Sequence, residues 1–181
     1  MMRYSVSFFF LVILFLAVVD ADILNETCQK AAQDDKNLHY DFCVAALGED
    51  PKSHSADLQG LGIISLELIK DNATKIGSRI GELLNDGKIS PDVKERLKDC
   101  QDLYSDVKSD VNDAIDAFKS KDYIKANLEV SSASDASTTC EDGFTEKPGL
   151  KSPLSIENDN FFQLSVIALS ITKFLHETSL V

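Results

Sequence analysis

Between residues 93 and 118, small or apolar side chains fall at Val93, Leu97, Cys100, Tyr104, Val107, Val111, Ala114 and Phe118. They stand four and three residues apart in strict alternation. At 3.6 residues per turn this spacing draws one continuous stripe along a helix, the face that packs in a bundle. The start is marked as well. Ser90 can cap, Pro91 suits the first helical position, and Asp92 meets the positive end of the helix dipole. After a polar break at Lys119–Asp122 the rhythm resumes at Ala126, Val130, Ala133, Ser137, Cys140 and Phe144. Small side chains dominate this second stripe, which lets a neighbouring helix come close.

A loop at Glu146–Pro153, with two prolines and a glycine, precedes a further helical pattern at Phe161, Leu164, Ala168, Ile171 and Leu175. Gln163, Ser165, Ser170 and Lys173 interrupt that segment, so it reads as a bundle helix and not as a membrane span. Upstream, residues 55–85 predict another long helix, ended by the glycine of "NDGK". Its pattern is less regular, because Leu61, Ile64 and Leu68 drift relative to Ile69, Ile76, Ile80 and Leu83. Strand signals are scarce. Four long helices with short connections predict an all-α, up-down-up-down four-helix bundle over residues 55–181.

The N-terminus sets the expected compartment. One positive charge, on Arg3, precedes fourteen apolar or small residues, Val6 to Val19, and Val19 and Ala21 stand where a signal peptidase reads. This predicts a secretory signal peptide over residues 1–21, and secretion to the extracellular space or cell wall. The remaining chain of about 160 residues suits one domain. A net charge of -12 repels nucleic acid and anionic membranes and suits a partner with a basic surface. Two sequons, at Asn25 and Asn72, are glycosylation candidates in a secreted chain.

In an oxidising compartment four cysteines favour disulfides. Two antiparallel helices bring residues i and j level when their midpoint is the turn. For Cys100 and Cys140 the midpoint is Ser120, inside the "KSKD" break. For Cys28 and Cys43 it falls between Asp35 and Lys36, inside the polar "QDDKN". Both pairings centre on turns, so the expected bridges are Cys28–Cys43 and Cys100–Cys140. The first staples a short helical hairpin within residues 22–54. Helices that short are marginal alone, and closing a loop of about 15 residues contributes roughly 3 kcal/mol in the chain-entropy model.

Catalytic chemistry is not signalled. His39, His54 and His176 are scattered and lack ligand spacing, so no metal is expected. "GSRIG" at residues 77–81 places Ser78 in the wrong slot for a nucleophile elbow. "GLGIIS" at residues 60–65 half-matches a dinucleotide fingerprint, with no strand before it. Helix packing is the simpler expectation for those glycines. The chain reads as a binding protein without a cofactor, and not as an enzyme.

The motifs resemble one family. "TCQKAAQDDKNLHYDFCVAALGEDPKS", "DLQGLGIISLELI", "LKDCQDLYSDVKSDVNDAI" and "SKDYIKANLEVSSASDASTTCEDGF" follow one another in the order of the plant invertase and pectin methylesterase inhibitors. The details are most similar to a pollen-allergen branch whose members carry an invertase-inhibitor label. The resemblance implies a four-helix bundle behind an N-terminal hairpin, with the first cysteine joined to the second and the third to the fourth. It also implies a non-catalytic protein that covers the active-site cleft of a pectin methylesterase or an acid invertase in a 1:1 complex. Invertase-directed members present Pro-Lys-Phe after the turn that follows the second bundle helix. Here that stretch is Asp122, Tyr123 and Ile124, so pectin methylesterase is the expected partner and invertase the alternative. By position, the implied partner-binding residues are Asp106, Asp110, Asp113, Lys121, Asp122 and Tyr123, with Tyr123 as the aromatic anchor. A different class also fits: a secreted helical protein without inhibitory activity, either holding a ligand in a cavity beside Ala126, Ala133 and Ser137 or acting only as an abundant, allergen-type component of pollen or wall.

Overall fold

The computed structural model describes residues 23–180; the expected signal peptide lies outside the described residues. In chain order the elements are α1 (Ile23–Asp34), α2 (Tyr40–Gly48), a 3-10 turn (Pro51–Ser55), α3 (Leu58–Asn85), α4 (Pro91–Lys119), α5 (Tyr123–Thr145) and α6 (Ser155–Ser179). Helices α3 to α6 form the up-down-up-down bundle: each packs on the next, and α6 closes against α3.

Local chemistry explains the boundaries. Asp50 accepts a hydrogen bond from the Lys52 amide at 2.9 Å and Pro51 opens the 3-10 turn. Asp57 then caps α3 by accepting from the Gly60 amide at 2.8 Å. The first bundle helix therefore starts at Leu58, three residues after the expected position. Helix α4 starts where its signals place it, with Ser90 Oγ accepting from the Val93 amide. Only Ser120–Asp122 separate α4 from α5. Lys121 reverses the chain at φ 64°, a left-handed conformation rare for a side-chain-bearing residue, and Asp122 caps α5 through the Lys125 amide at 3.0 Å.

Both disulfides are the expected ones. Cys28–Cys43 staples α1 to α2 with a Cα–Cα separation of 5.6 Å, and Cys100–Cys140 joins α4 to α5 at 4.9 Å. The hairpin lies along the flank of α6. Lys30 Nζ sits 3.8 Å above the Phe174 ring, Lys173 pairs with Asp34 at 2.9 Å, and the His39 amide donates to Gln163 Oε1 at 3.1 Å. Helix α6 is consequently covered by α5, α3 and the hairpin together. Its buried set extends well beyond the expected stripe to Val166, Ile167, Thr172 and Phe174, while Leu175 is only half-buried. The same covering explains the drift in α3, whose N-terminal half must offer apolar side chains to the hairpin as well as to the bundle.

One polar thread crosses the core. The Tyr104 hydroxyl on α4 donates to Asn158 Oδ1 on α6 at 2.8 Å, and Asn158 Nδ2 donates to Glu141 Oε2 on α5 at 2.8 Å. Burial, with Glu141 and Glu157 adding, pushes the Tyr104 hydroxyl well above its usual pKa, so it remains a donor. Edge-on packing against Phe161, centroids 5.3 Å apart, fixes the same ring.

A second knot holds the α4–α5 turn to α3. Phe118 packs edge-on against Tyr123 with centroids 5.4 Å apart. The Tyr123 hydroxyl donates to Gln59 Oε1 at 2.7 Å, and Gln59 Nε2 donates to the Phe118 carbonyl at 3.3 Å. Gly62 lets the Phe118 ring approach, since a Cβ there would come 2.1 Å from Phe118 Cζ. Packing thus explains this glycine of "GLGIIS". It does not explain Gly77 and Gly81 of "GSRIG", where a Cβ would meet nothing within 4 Å.

Two stability measurements test this corner. Gly62→Ala forces the Phe118 ring to move and should cost about 1–3 kcal/mol. Melting should fall by roughly 2–4 °C per kcal/mol for a domain of this size. Tyr123→Phe should cost about 1 kcal/mol for the lost hydrogen bond, and Tyr123→Ala about 3–5 kcal/mol for the emptied ring site. Calorimetry in which Tyr123→Ala melts with the parent would contradict the buried position of that ring.

Candidate functional site

The described residues bring no catalytic constellation together. His39, His54 and His176 stay apart, and no group of three or more metal-ligating side chains is present among the described residues. No described helix is long and apolar enough to cross a membrane. Ala126 and Ala133 are fully buried, and Ser137 reaches only an open groove of about 540 Å³ between the hairpin turn and α6.

The distinctive surface is the outer side of α4 and α5. Helix α4 carries Asp92, Glu95, Asp99, Asp102, Asp106, Asp110, Asp113 and Asp116. At 100° per residue all of them fall within a sector of about 120°, opposite the buried stripe. Every one is exposed except Asp110, which is half-buried and accepts from Ser132 Oγ of α5 at 2.9 Å. Arg96 pairs with Asp99 at 3.2 Å and Lys147 with Asp92 at 2.7 Å. Among the described residues Asp102, Asp106 and Asp113 form no ion pair, so the middle of the stripe presents uncompensated negative charge.

The expected site residues separate into three groups. Asp106, Asp110 and Asp113 share the α4 stripe. Lys121 and Asp122 form the exposed tip of the α4–α5 turn, where Asp122 is engaged as the cap of α5. Tyr123 stands apart from both. At 7 % exposure, with its ring on Phe118 and its hydroxyl on Gln59, it packs the corner and cannot serve as an exposed aromatic anchor. The physical reason is register: Tyr123 continues the buried series Ala126, Val130, Ala133 by one step of three.

The exposed apolar residues at this corner are Ile124, 65 % exposed, and Leu128, 67 % exposed. They lie one turn apart on the outer face of α5. The Asp110–Ser132 hydrogen bond sets the antiparallel register of α4 and α5. That register brings Leu128 level with Ala114, next to Asp113, and Ile124 level with Phe118 near the turn. Their signal in the sequence is two large apolar residues spaced by four, off the buried stripe. On the far side of this ridge a groove of about 440 Å³ runs between α5 and α6, bordered by Ile124, Asn127, Leu169 and the Asp34–Lys173 pair.

Comparison with known proteins gives this arrangement a context. A Platanus acerifolia protein named "Putative invertase inhibitor" is 52 % identical over 170 residues, covering 94 % of each chain. A pectinesterase inhibitor of Actinidia deliciosa is 30 % identical, over 84 % of this chain and 79 % of its own. The crystal structure of a pectin methylesterase inhibitor from Arabidopsis thaliana superposes with a TM-score of 0.62 at 25 % identity, over 87 % of this chain and 98 % of its own. The family model described as plant invertase/pectin methylesterase inhibitor matches residues 22–171, so this bundle with two disulfides and an acidic outer face has a family: the chain is a member of the plant invertase/pectin methylesterase inhibitor family.

Proposed function

We propose that this chain is a secreted, non-catalytic inhibitor that lays the outer face of α4 and α5 over the active-site cleft of a plant cell-wall carbohydrate enzyme, with pectin methylesterase as the first target. The observation that carries this reading is the uncompensated stripe around Asp102, Asp106 and Asp113 with the Ile124–Leu128 ridge beside it. Pectin is a polyanion, so a cleft that accepts it favours negative charge. Acidic side chains on a rigid helix meet that preference and speed encounter, while two exposed aliphatic side chains supply surface to desolvate. Lys121, Asp122 and Asp110 complete the rim of this surface.

A specific observation also favours acid invertase. The relatives at about half identity carry invertase-inhibitor names. Ile124, the third residue of the stretch that stands in place of Pro-Lys-Phe, is exposed and apolar, so it can be buried against a partner. The loss of the other two residues of that tripeptide, with Tyr123 turned into the core, weighs on the methylesterase side.

Titration of refolded, oxidised protein against a plant pectin methylesterase and an acid invertase at mildly acidic pH separates the two. Stoichiometric loss of methylesterase activity alone is the expected outcome; loss of invertase activity alone establishes the alternative, and two fully active enzymes overturn both. Ile124→Asp should weaken inhibition by at least about tenfold, since full burial of such a side chain contributes about 1.5–3 kcal/mol and 1.4 kcal/mol is tenfold. Circular dichroism should not change. Ile156→Asp provides the control, because Ile156 is 75 % exposed at the start of α6, away from the α4–α5 turn, and its substitution should leave inhibition intact.

A further inference from the structure

A groove of about 650 Å³ separates α2 of the hairpin from α3 and α6. Its walls include Phe42 and Leu68, partly buried against the core, and Glu67, Asp71 and Asn160. Asn72, midway along α3, opens onto it. The side chain is half-buried in an unusual way: Oδ1 is sealed from solvent and accepts no hydrogen bond, whereas Nδ2 of the same amide is not sealed. With Oδ1 turned inward, Nδ2, the atom to which a glycan is joined, is the end of the amide left accessible. Asn72-Ala73-Thr74 is also a sequon.

We infer that Asn72 carries an N-linked glycan whose first sugar seats in this groove, between the hairpin and the bundle. The chemistry of the walls suits an amino sugar. Phe42 and Leu68 can cover its apolar C–H face, and Glu67 and Asp71 can accept from its hydroxyls. The other sequon does not share these features: Asn25 Oδ1 already accepts from the Tyr40 hydroxyl at 3.3 Å, and Thr27 is buried. In the transfer, Asn72 Nδ2 attacks C1 of an oligosaccharide held on a lipid diphosphate. The N–C1 bond forms, the C1–O bond to the diphosphate breaks, Nδ2 gives up one proton and the lipid diphosphate leaves. Attachment takes place on the extended chain, before α3 closes and the Thr74 hydroxyl turns to the Lys70 carbonyl at 3.0 Å. The seat lies on α3, away from the outer face of α4 and α5, so the modification and the proposed inhibition are compatible. The inference depends on secretion and not on which enzyme is inhibited.

The test uses the full chain with its own N-terminal segment, expressed in plant cells and collected from the medium. Trypsin releases Asp71–Lys75 as one short peptide, and mass spectrometry should find it carrying a glycan at Asn72. A peptide N-glycosidase should remove that glycan from the native protein about tenfold more slowly than from the reduced, unfolded protein, equivalent to about 1.4 kcal/mol of seating. Thr74→Ala keeps Asn72 but removes the sequon, and should lower the melting temperature of the secreted protein while leaving that of bacterially made, refolded protein unchanged. An unmodified Asp71–Lys75 peptide as the main secreted form overturns the inference. Equal release from native and unfolded protein overturns the seat. Neither readout involves a target enzyme, so failure here and failure of the inhibitor reading are distinguishable.

Discussion

The antiparallel pairing of α4 with α5 is the constraint on which the rest depends. At one end three residues, Ser120–Asp122, turn the chain; further along, Cys100–Cys140 bridges the pair at a Cα separation of 4.9 Å. A loop of 40 residues closed by a disulfide contributes about 4 kcal/mol in the chain-entropy model, several times one hydrogen bond. The separation is short because α5 carries Ala126, Ala133, Ala136 and Ser137 on its buried side. With both ends held, the register cannot slip, and the outward faces of the two helices become one surface of defined composition.

Everything else braces that pair. Gln59 on α3 bonds to both sides of the α4–α5 turn, and the Phe118 ring occupies the space that Gly62 leaves. Near the disulfide, Tyr104, Asn158 and Glu141 link α4, α6 and α5 through two hydrogen bonds of 2.8 Å. Asn158 is 3 % exposed, and in a core this apolar an amide without both partners would be costly. The thread therefore restricts how α6 can sit. The hairpin then covers α6 from outside through Lys30, Asp34 and His39, each of which makes a specific contact to α6.

The proposed inhibitory surface follows from what this scaffold leaves outward. An inhibitor that blocks a cleft does no chemistry of its own; it needs a rigid convex face with the right charge and some apolar area to desolvate. Helix α4 can be strongly acidic on one side because its other side is bound by packing and a disulfide, so mutual repulsion of the carboxylates does not unravel it. Such charge would be a liability on a marginal isolated helix. The same division of labour lets Ile124 and Leu128 stay exposed at the first turns of α5, where Asp122 caps the helix and Tyr123 anchors it from below.

The all-α class, the four bundle helices, the cap at Ser90 and both disulfides were legible in the sequence alone. These depend on short-range periodicity, on turn position and on composition, all of which are local properties of the chain. Tertiary structure alone decided where the hairpin lies, because its two short helices offer apolar residues without naming a partner. It decided that α6 is buried nearly all round, since the number of neighbours around a helix is not a property of that helix. Most consequentially, it decided the roles of Tyr123 and Ile124. They are adjacent, both apolar in part and both near a turn, yet one step of 100° along α5 puts the first against Phe118 and Gln59 and the second in solvent. The buried register of α5 already contained that distinction, but only the fixed pairing with α4 and α3 turns register into an inside and an outside.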